Sequence, residues 1–498
     1  MEAQVLLHYW RYIVEWSNFD DATFQEDRLN RRQTNVMRQS FVLFLFLAAY
    51  AVSAQTAAPS PGNQSISLAD ALAIAQDKYP AIKASLEQQA AAQHQIGVTK
   101  TAYLPRLDML WQTNRATDNN RTGMLLPQSV LPPISGPVAG DAPGRSAWSS
   151  AGGALMDWQP FDFGERAAQV NVARKGALAA VSATNLTRLG IAAATANAYL
   201  DVVAAHELVS VAQANVSRMQ TFADSVHVLV DNQLRPGADA SQADAQLALA
   251  RTQLIQAQTQ EKVRLAALAD FLELPTQQVK VDPAGVLSAP PAADPEVTSI
   301  NAHPAVEVEA ALTERQRAQL HVLSRSYAPA FHLLGSISGR GTGLDAQGNF
   351  MGGTSGLAPS TLNWAGAVQV SFPAFDIFRI HQEKKVQASN VRAEQMRYQQ
   401  TLDDLSIQVE QAQARLDGAR QVAQNTPIEV AAARQSEQQQ RTRFQSSLST
   451  VVEVAVAESV LTQAEGDDAI ARLNVWRALA DLAAARGNVA PFLKMLGK

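Results

Sequence analysis

Cysteine is absent from the 498-residue chain, which removes disulfides, thiolate metal sites, cysteine nucleophiles and a lipidated cysteine anchor. Charge is sparse and nearly balanced, with 41 Lys and Arg against 46 Asp and Glu. A net charge of -5 gives no general attraction for a polyanion, so nucleic acid is not an expected partner. No apolar run reaches the roughly 18 residues of a membrane-spanning helix, so an α-helical membrane protein is not expected. The eight histidines, among them His94, His206, His227 and His321, are too scattered to form the short-spaced pairs of zinc enzymes. Gly339-Arg-Gly-Thr-Gly343 opens no helix, unlike a phosphate loop, and Gly335-Ser-Ile-Ser-Gly339 lacks the central serine of a nucleophile elbow. No catalytic residue, cofactor or metal site is expected. What remains is an apolar fraction of 47%, which excludes disordered and collagen-like chains.

Arg38, the run Phe41–Ala49 and the small residues Ala51-Val-Ser-Ala54 have the order of a secretory signal peptide. Residues 37–54 are therefore read as the signal, with Met37 as the true start, residues 1–36 as a mis-assigned upstream extension and Gln55 as the mature N-terminus. Beyond it the chain is written twice. Tyr79-Pro80-Ala81-Ile82 returns as His303-Pro304-Ala305-Val306, and Tyr103-Leu104-Pro105 as Tyr327-Ala328-Pro329, both 224 positions on (303 − 79 and 327 − 103). Phe161-Asp162-Phe163 returns as Phe375-Asp376-Ile377, 214 on (375 − 161), and the helical start near Asp244 is matched with that near Glu453, 209 on (453 − 244). The expected organisation is a first repeat over 55–273, a proline-rich join over 274–302, a second repeat over 303–486 and a tail over 487–498.

Within each repeat two kinds of segment alternate. Residues 164–231, 240–273, 380–443 and 451–485 are rich in Ala, Gln, Val and Leu and read as very long helices, with Pro427 expected to kink the third. Their mixed seven- and eleven-residue apolar spacing, seen through Leu247, Ala250, Leu254, Ala257, Leu265 and Leu268, implies nearly straight coiled staves. Four short segments instead alternate with period two, the pattern of strands between two different solvents. Over 106–115, Leu107, Met109 and Trp111 oppose Arg106, Asp108, Gln112 and Asn114. Over 147–159, Trp148, Ala154, Met156 and Trp158 oppose Ser149, Asp157 and Gln159. Over 330–340, Phe331, Leu333 and Ile337 oppose His332, Ser336, Ser338 and Arg340. Over 362–372, Leu362, Trp364, Val368, Val370 and Phe372 oppose Asn363, Gln369 and Ser371. Each is long enough to cross an outer membrane at a tilt, and Trp111, Trp148, Trp158 and Trp364 suit an interfacial aromatic girdle. The loops 116–146 and 341–361 would cap the hairpins. Four strands cannot close a barrel alone, so several copies must pool them.

Two halves, each with Tyr-x-Pro before a strand, Phe-Asp after the next and a small-residue turn leading to an acidic helix, resemble the TolC-like outer-membrane efflux proteins. The resemblance implies a mainly α fold with a β-barrel part: a homotrimer whose chains share a twelve-stranded outer-membrane barrel in the lipid and a helical tunnel across the periplasm. It implies no catalysis, and docking through a periplasmic adaptor onto an inner-membrane pump. It further implies an acidic aperture at the helix turns Leu234–Ala240 and Phe444–Thr450, with Glu453, Asp244 and Phe444 as candidates. The second acidic position of the family is Val456 here, and a basic gate position is Ser449. Pro236, Gly237, Ala238, Ser447 and Leu448 are the expected adaptor contacts, Ser447 standing where the family usually has glycine. The same residues are also compatible with acids in helix first turns and ordinary packing. The alternative architecture is a soluble periplasmic coiled-coil scaffold or adaptor. A diffusion porin is disfavoured because porins spend their chain on strands.

Overall fold

Proline opens both repeats, since its missing N–H and fixed φ suit the first helical position. Pro80 begins α2 (Pro80–Lys100), after α1 (Leu68–Lys78), and Pro304 begins α5 (Pro304–Arg325). The computed structural model describes residues 65–117, 146–287, 291, 293–296, 299–345, 349–372 and 374–496. The expected upstream extension 1–36, the signal 37–54 and nearly all of the loop 116–146 lie outside the described residues. Ser65–Lys498 form one unit by their contacts.

After α2 the chain makes a hairpin of β1 (Arg106–Thr117) and β2 (Ser146–Phe161), then α3 (Glu165–Asp231) and α4 (Gly237–Leu272). After α5 it repeats the pattern with β3 (Ala330–Thr342), β4 (Thr361–Ser371), α6 (Asp376–Gln445) and α7 (Val451–Ala485), and ends in α8 (Ala490–Met495). At 1.5 Å per residue the 67-residue α3 and 70-residue α6 each extend about 100 Å. Helix α6 runs unbroken across Pro427, whose nitrogen has no proton to give the backbone ladder. By length and composition, a window of 18 residues within α3 is apolar enough to cross a membrane, which corrects the expectation that nothing beyond the signal is. The cause is alanine content; α3 contacts α2, α4, α5 and α7, and 22% of that window is buried.

The largest core lies where α1, α3, α4, α6 and α7 meet. Ala192, Tyr199 and Leu200 of α3, Leu268 and Leu272 of α4, Leu416 of α6 and Leu473, Trp476 and Leu479 of α7 are buried together, with Phe492 of α8 edge-on to Trp476 at 6.2 Å. The hydroxyl of Tyr199 donates to the carbonyl of Asp282 at 2.5 Å and lies 3.1 Å from that of Ile66, tying the start of the first repeat to the join. In α4 the expected stripe is the buried one: Leu247, Ala250 and Leu268 are buried, and Leu254, Ala257 and Leu265 half-buried.

The four strands form one antiparallel sheet in the order β1-β2-β3-β4. Met109 lies opposite Ala154, Ala154 opposite Ile337 and Ile337 opposite Trp364, so these residues share a face. Among the described residues β1 and β4 have no strand on their outer edges.

Candidate functional site

The register sorts the strand residues into two surfaces. Leu107, Met109 and Trp111 align with Met156, Ala154 and Gly152, then with Gly335, Ile337 and Gly339, then with Gly366, Trp364 and Leu362. Leu333, Val368, Phe331 and Val370 continue the same face. It is uncovered: Met109 and Trp364 are each 82% exposed, far beyond what a water-soluble sheet leaves open. The opposite face carries Arg106, Asp108, Gln112, Asn114, Ser336, Ser338, Asn363 and Gln369, and His332 Nδ1 lies 2.9 Å from Asp157 Oδ1 across the strands. Leu110, Leu155 and Leu334 are its apolar exceptions.

Trp148 and Trp158 sit near the two ends of β2. The Trp158 indole donates to the Tyr103 carbonyl at 3.1 Å, and the Arg115 guanidinium lies 5.5 Å from the Trp148 ring. Trp111 is instead mid-strand, its ring laid over Gly152, where a Cβ would come within 2.5 Å of it. Trp364 is inside β4 opposite Ile337. Trp111 is thus corrected from girdle to mid-face: the ring fills the space that a glycine leaves on the neighbouring strand. Sequence reading missed a phenylalanine cluster at the helix-proximal end of the sheet. Phe161 and Phe163 meet edge-on at 4.6 Å, Phe331 is 6.1 Å from Phe163, and together with Leu333 and Val368 they line a mainly apolar cavity of about 330 Å³ that His332 also borders. Phe372, Phe375 and Phe378 are exposed beside β4. The signal was present in the phenylalanines that gather at the end of each second strand.

The turns joining α3 to α4 and α6 to α7 are built alike. Gln233 and Ser447 both take a left-handed conformation, φ 58°, which favours glycine and explains why Ser447 occupies a glycine position. Each closes a Schellman motif: Leu234 N donates to Leu229 O and Leu448 N to Arg443 O, both at 2.8 Å. The leucine that follows is left in solvent in both turns, 70% exposed at Leu234 and 69% at Leu448. Pro236, Gly237, Ala238 and Ser447 lie in or beside these turns and are exposed as well.

The aperture candidates fare differently. Phe444 is buried, edge-on to Phe222 at 5.1 Å with the Arg235 guanidinium 4.5 Å from its ring. It is a core residue and not an aperture plug, because its place in the last turn of α6 faces α3. Glu453 is exposed, but its Oε2 accepts the Thr450 N–H at 2.7 Å, the Ser449 hydroxyl at 2.7 Å and the Thr450 hydroxyl at 3.1 Å, while Thr450 Oγ1 accepts the Glu453 N–H at 3.3 Å. That is a capping box. The backbone bond from Thr450, with the two hydroxyls, holds the Glu453 carboxyl below its ordinary value. Asp244 accepts from His227 at 2.9 Å, and this bond raises the imidazole above its ordinary value. The turns are 214 positions apart (447 − 233), so the counterpart of Glu453 is Asp239 and that of Asp244 is Glu458. The expected pairing of Asp244 with Glu453 is corrected accordingly.

Two arginines missed by the sequence reading organise these tips. Arg235 donates to the carbonyls of Phe444 and Ser449, each at 3.2 Å, and stands 3.6 Å from Asp239, joining one turn to the other. Arg218 of α3 reaches buried Glu458 of α7 at 2.8 Å and Glu465 at 3.1 Å, while Arg441 of α6 reaches Glu458 at 2.6 Å and Glu437 at 2.7 Å. Burial pushes the Glu458 carboxyl up against the opposing pull of Arg218. The partners are 240 positions apart (458 − 218), so no local pattern announced them. Among the described residues no cluster of His, Asp and Glu could hold a metal.

Residues 71–272 match the model of the family described as outer membrane efflux protein. This segment belongs to that family. The efflux-protein fold extends past it. The CmeC outer membrane channel of Campylobacter jejuni superposes with a TM-score of 0.66 over 84% of this chain and 85% of that one, at 15% identity. VceC of Vibrio cholerae gives 0.64 over 84% and 96%, at 17% identity. The open state of the MtrE outer membrane channel of Neisseria gonorrhoeae gives 0.62 over 84% and 89%, at 18% identity. A comparison with curated proteins finds no match by sequence.

Proposed function

We propose that the chain is an outer-membrane efflux duct, a conduit and not a catalyst, reaching from the outer membrane into the periplasm. Three copies supply four strands each to one barrel of twelve, and their long helices, in the two repeats 55–273 and 303–486, form the tunnel. One observation carries this reading: a sheet with one continuous uncovered apolar face, a polar face behind it and, among the described residues, no strand on either edge. In lipid an open edge leaves unsatisfied N–H and C=O groups, so the edges of β1 and β4 must be closed by further copies. The apolar face then meets hydrocarbon, the polar face water, and the phenylalanines beside β2 and β4 the inner membrane boundary. The exposed turns around Leu234 and Leu448 take the periplasmic adaptor of a tripartite assembly, and the inner-membrane pump supplies the free energy. The test is conductance of the purified protein in planar bilayers. Discrete channels are expected; a protein that fractionates with the soluble periplasm and gives no channel would support the scaffold alternative.

A further inference from the structure

Helix α7 is apolar on both sides where it leaves the turn. Val451, Val454, Ala455, Ala457 and Leu461 are buried against the rest of the chain. Val452, Val456 and Val460, at i, i+4 and i+8, form a second stripe that the chain leaves open, 53%, 58% and 51% exposed. A helix that is apolar all round is normally covered all round. Helix formation does not call for these valines, since β-branched residues are poor helix formers. The matching positions of α4, 214 earlier, are Ala238, Gln242 and Gln246, so the stripe belongs to the second hairpin alone. Three of the acids near this end are engaged within the chain, Glu453 in its cap, Asp239 with Arg235 and Asp244 with His227, while Asp231 and Arg443 stand exposed at the ends of α3 and α6.

We propose that Val452, Val456 and Val460 of α7 meet the same residues of two further copies and form an apolar collar that narrows the duct, in place of an acidic ring. The inference rests on the duct reading above. The edges of β1 and β4, which pair with no strand among the described residues, require a closed ring of copies, and a closed ring sets identical helices around one axis. Three valine stripes there exclude water, so the constriction opposes ions of both signs by dewetting and selects neither.

The experiment uses the full-length mature protein in neutral planar bilayers under a salt gradient. Val456→Ser is expected to raise single-channel conductance about threefold or more by wetting the collar. Val456→Asp should also move the reversal potential toward cation selectivity, and Glu453→Gln should leave both readings unchanged. Unaltered conductance in Val456→Ser, or a cation preference that disappears in Glu453→Gln, overturns the collar. Proximity is read separately in detergent. Because the chain has no cysteine, Val456→Cys with a short thiol-reactive cross-linker should yield a covalent pair of chains without any adaptor. No cross-link would mean that the stripe faces a different protein and the proposal falls. A cross-link in a protein that gives no channel in any form would uphold the contact between copies and overturn the duct.

Discussion

The two hairpin tips began as one design and now do different work. Their turns share the left-handed residue, the Schellman bonds and the exposed leucine. One level higher each carries a cross-helix pair at equivalent positions, His227 with Asp244 in the first and Arg441 with Glu458 in the second, each shifted by 214 (441 − 227 and 458 − 244). The first pair lies in solvent on a hairpin where α4 packs chiefly on α3, whereas α7 is packed by both α3 and α6. Packing on two sides removes water from Glu458, and Arg218 supplies the second cation that a buried carboxylate needs. The same pair is a titratable surface contact in one repeat and part of the scaffold in the other.

Substitutions should separate the tips in a graded way. Phe444→Ala empties the space between Phe222 and Arg235 and is expected to destabilise the protein by about 3–5 kcal/mol in denaturant unfolding, while its first-hairpin counterpart, the half-buried Val230, should respond far less when changed to Ala. Arg218→Ala leaves Glu458 with only Arg441, and about 2–4 kcal/mol should be lost; His227→Ala, removing the equivalent support in the first hairpin, should not move the midpoint measurably. Thr450→Ala removes a cap that Pro236 cannot offer α4 and should cost about 1 kcal/mol. Because the folded Glu453 carboxyl is held below its ordinary 4.5, its support is present above that value and is lost as pH falls through the lower folded value. Acid titration of wild type against Glu453→Gln checks this. The smallest effect is at His227, raised above 6.5 by Asp244: its contribution is full below 6.5 and fades as pH rises through the folded value. Proton NMR should show the His227 titration moving back toward 6.5 in Asp244→Asn.

Local patterns in the sequence carried much of this architecture and little of the tips. Alternation in Leu107, Met109 and Trp111 and in Val368, Val370 and Phe372 requires only that a strand have two faces, so the sidedness of the sheet could be read from each segment by itself. The repeated X-Pro at Pro80 and Pro304 likewise reports a local constraint. The partner of Glu453 was misjudged because the offset between repeats was taken from acidic residues, when the turns around Gln233 and Ser447 set it. Arg235 and Arg218 were invisible for another reason: their carbonyl and carboxylate partners lie in the other repeat, and only the packing of α3 on α7 brings them together. Phe444 was assigned to an aperture by the family resemblance, although which side of α6 it occupies depends on Phe222 of α3.

The account stands on several copies completing one barrel, and the mass of the detergent-solubilised mature protein tests this most directly. Light scattering corrected for bound detergent should give three chains per particle. A single chain that stays in solution once detergent is withdrawn would contradict it.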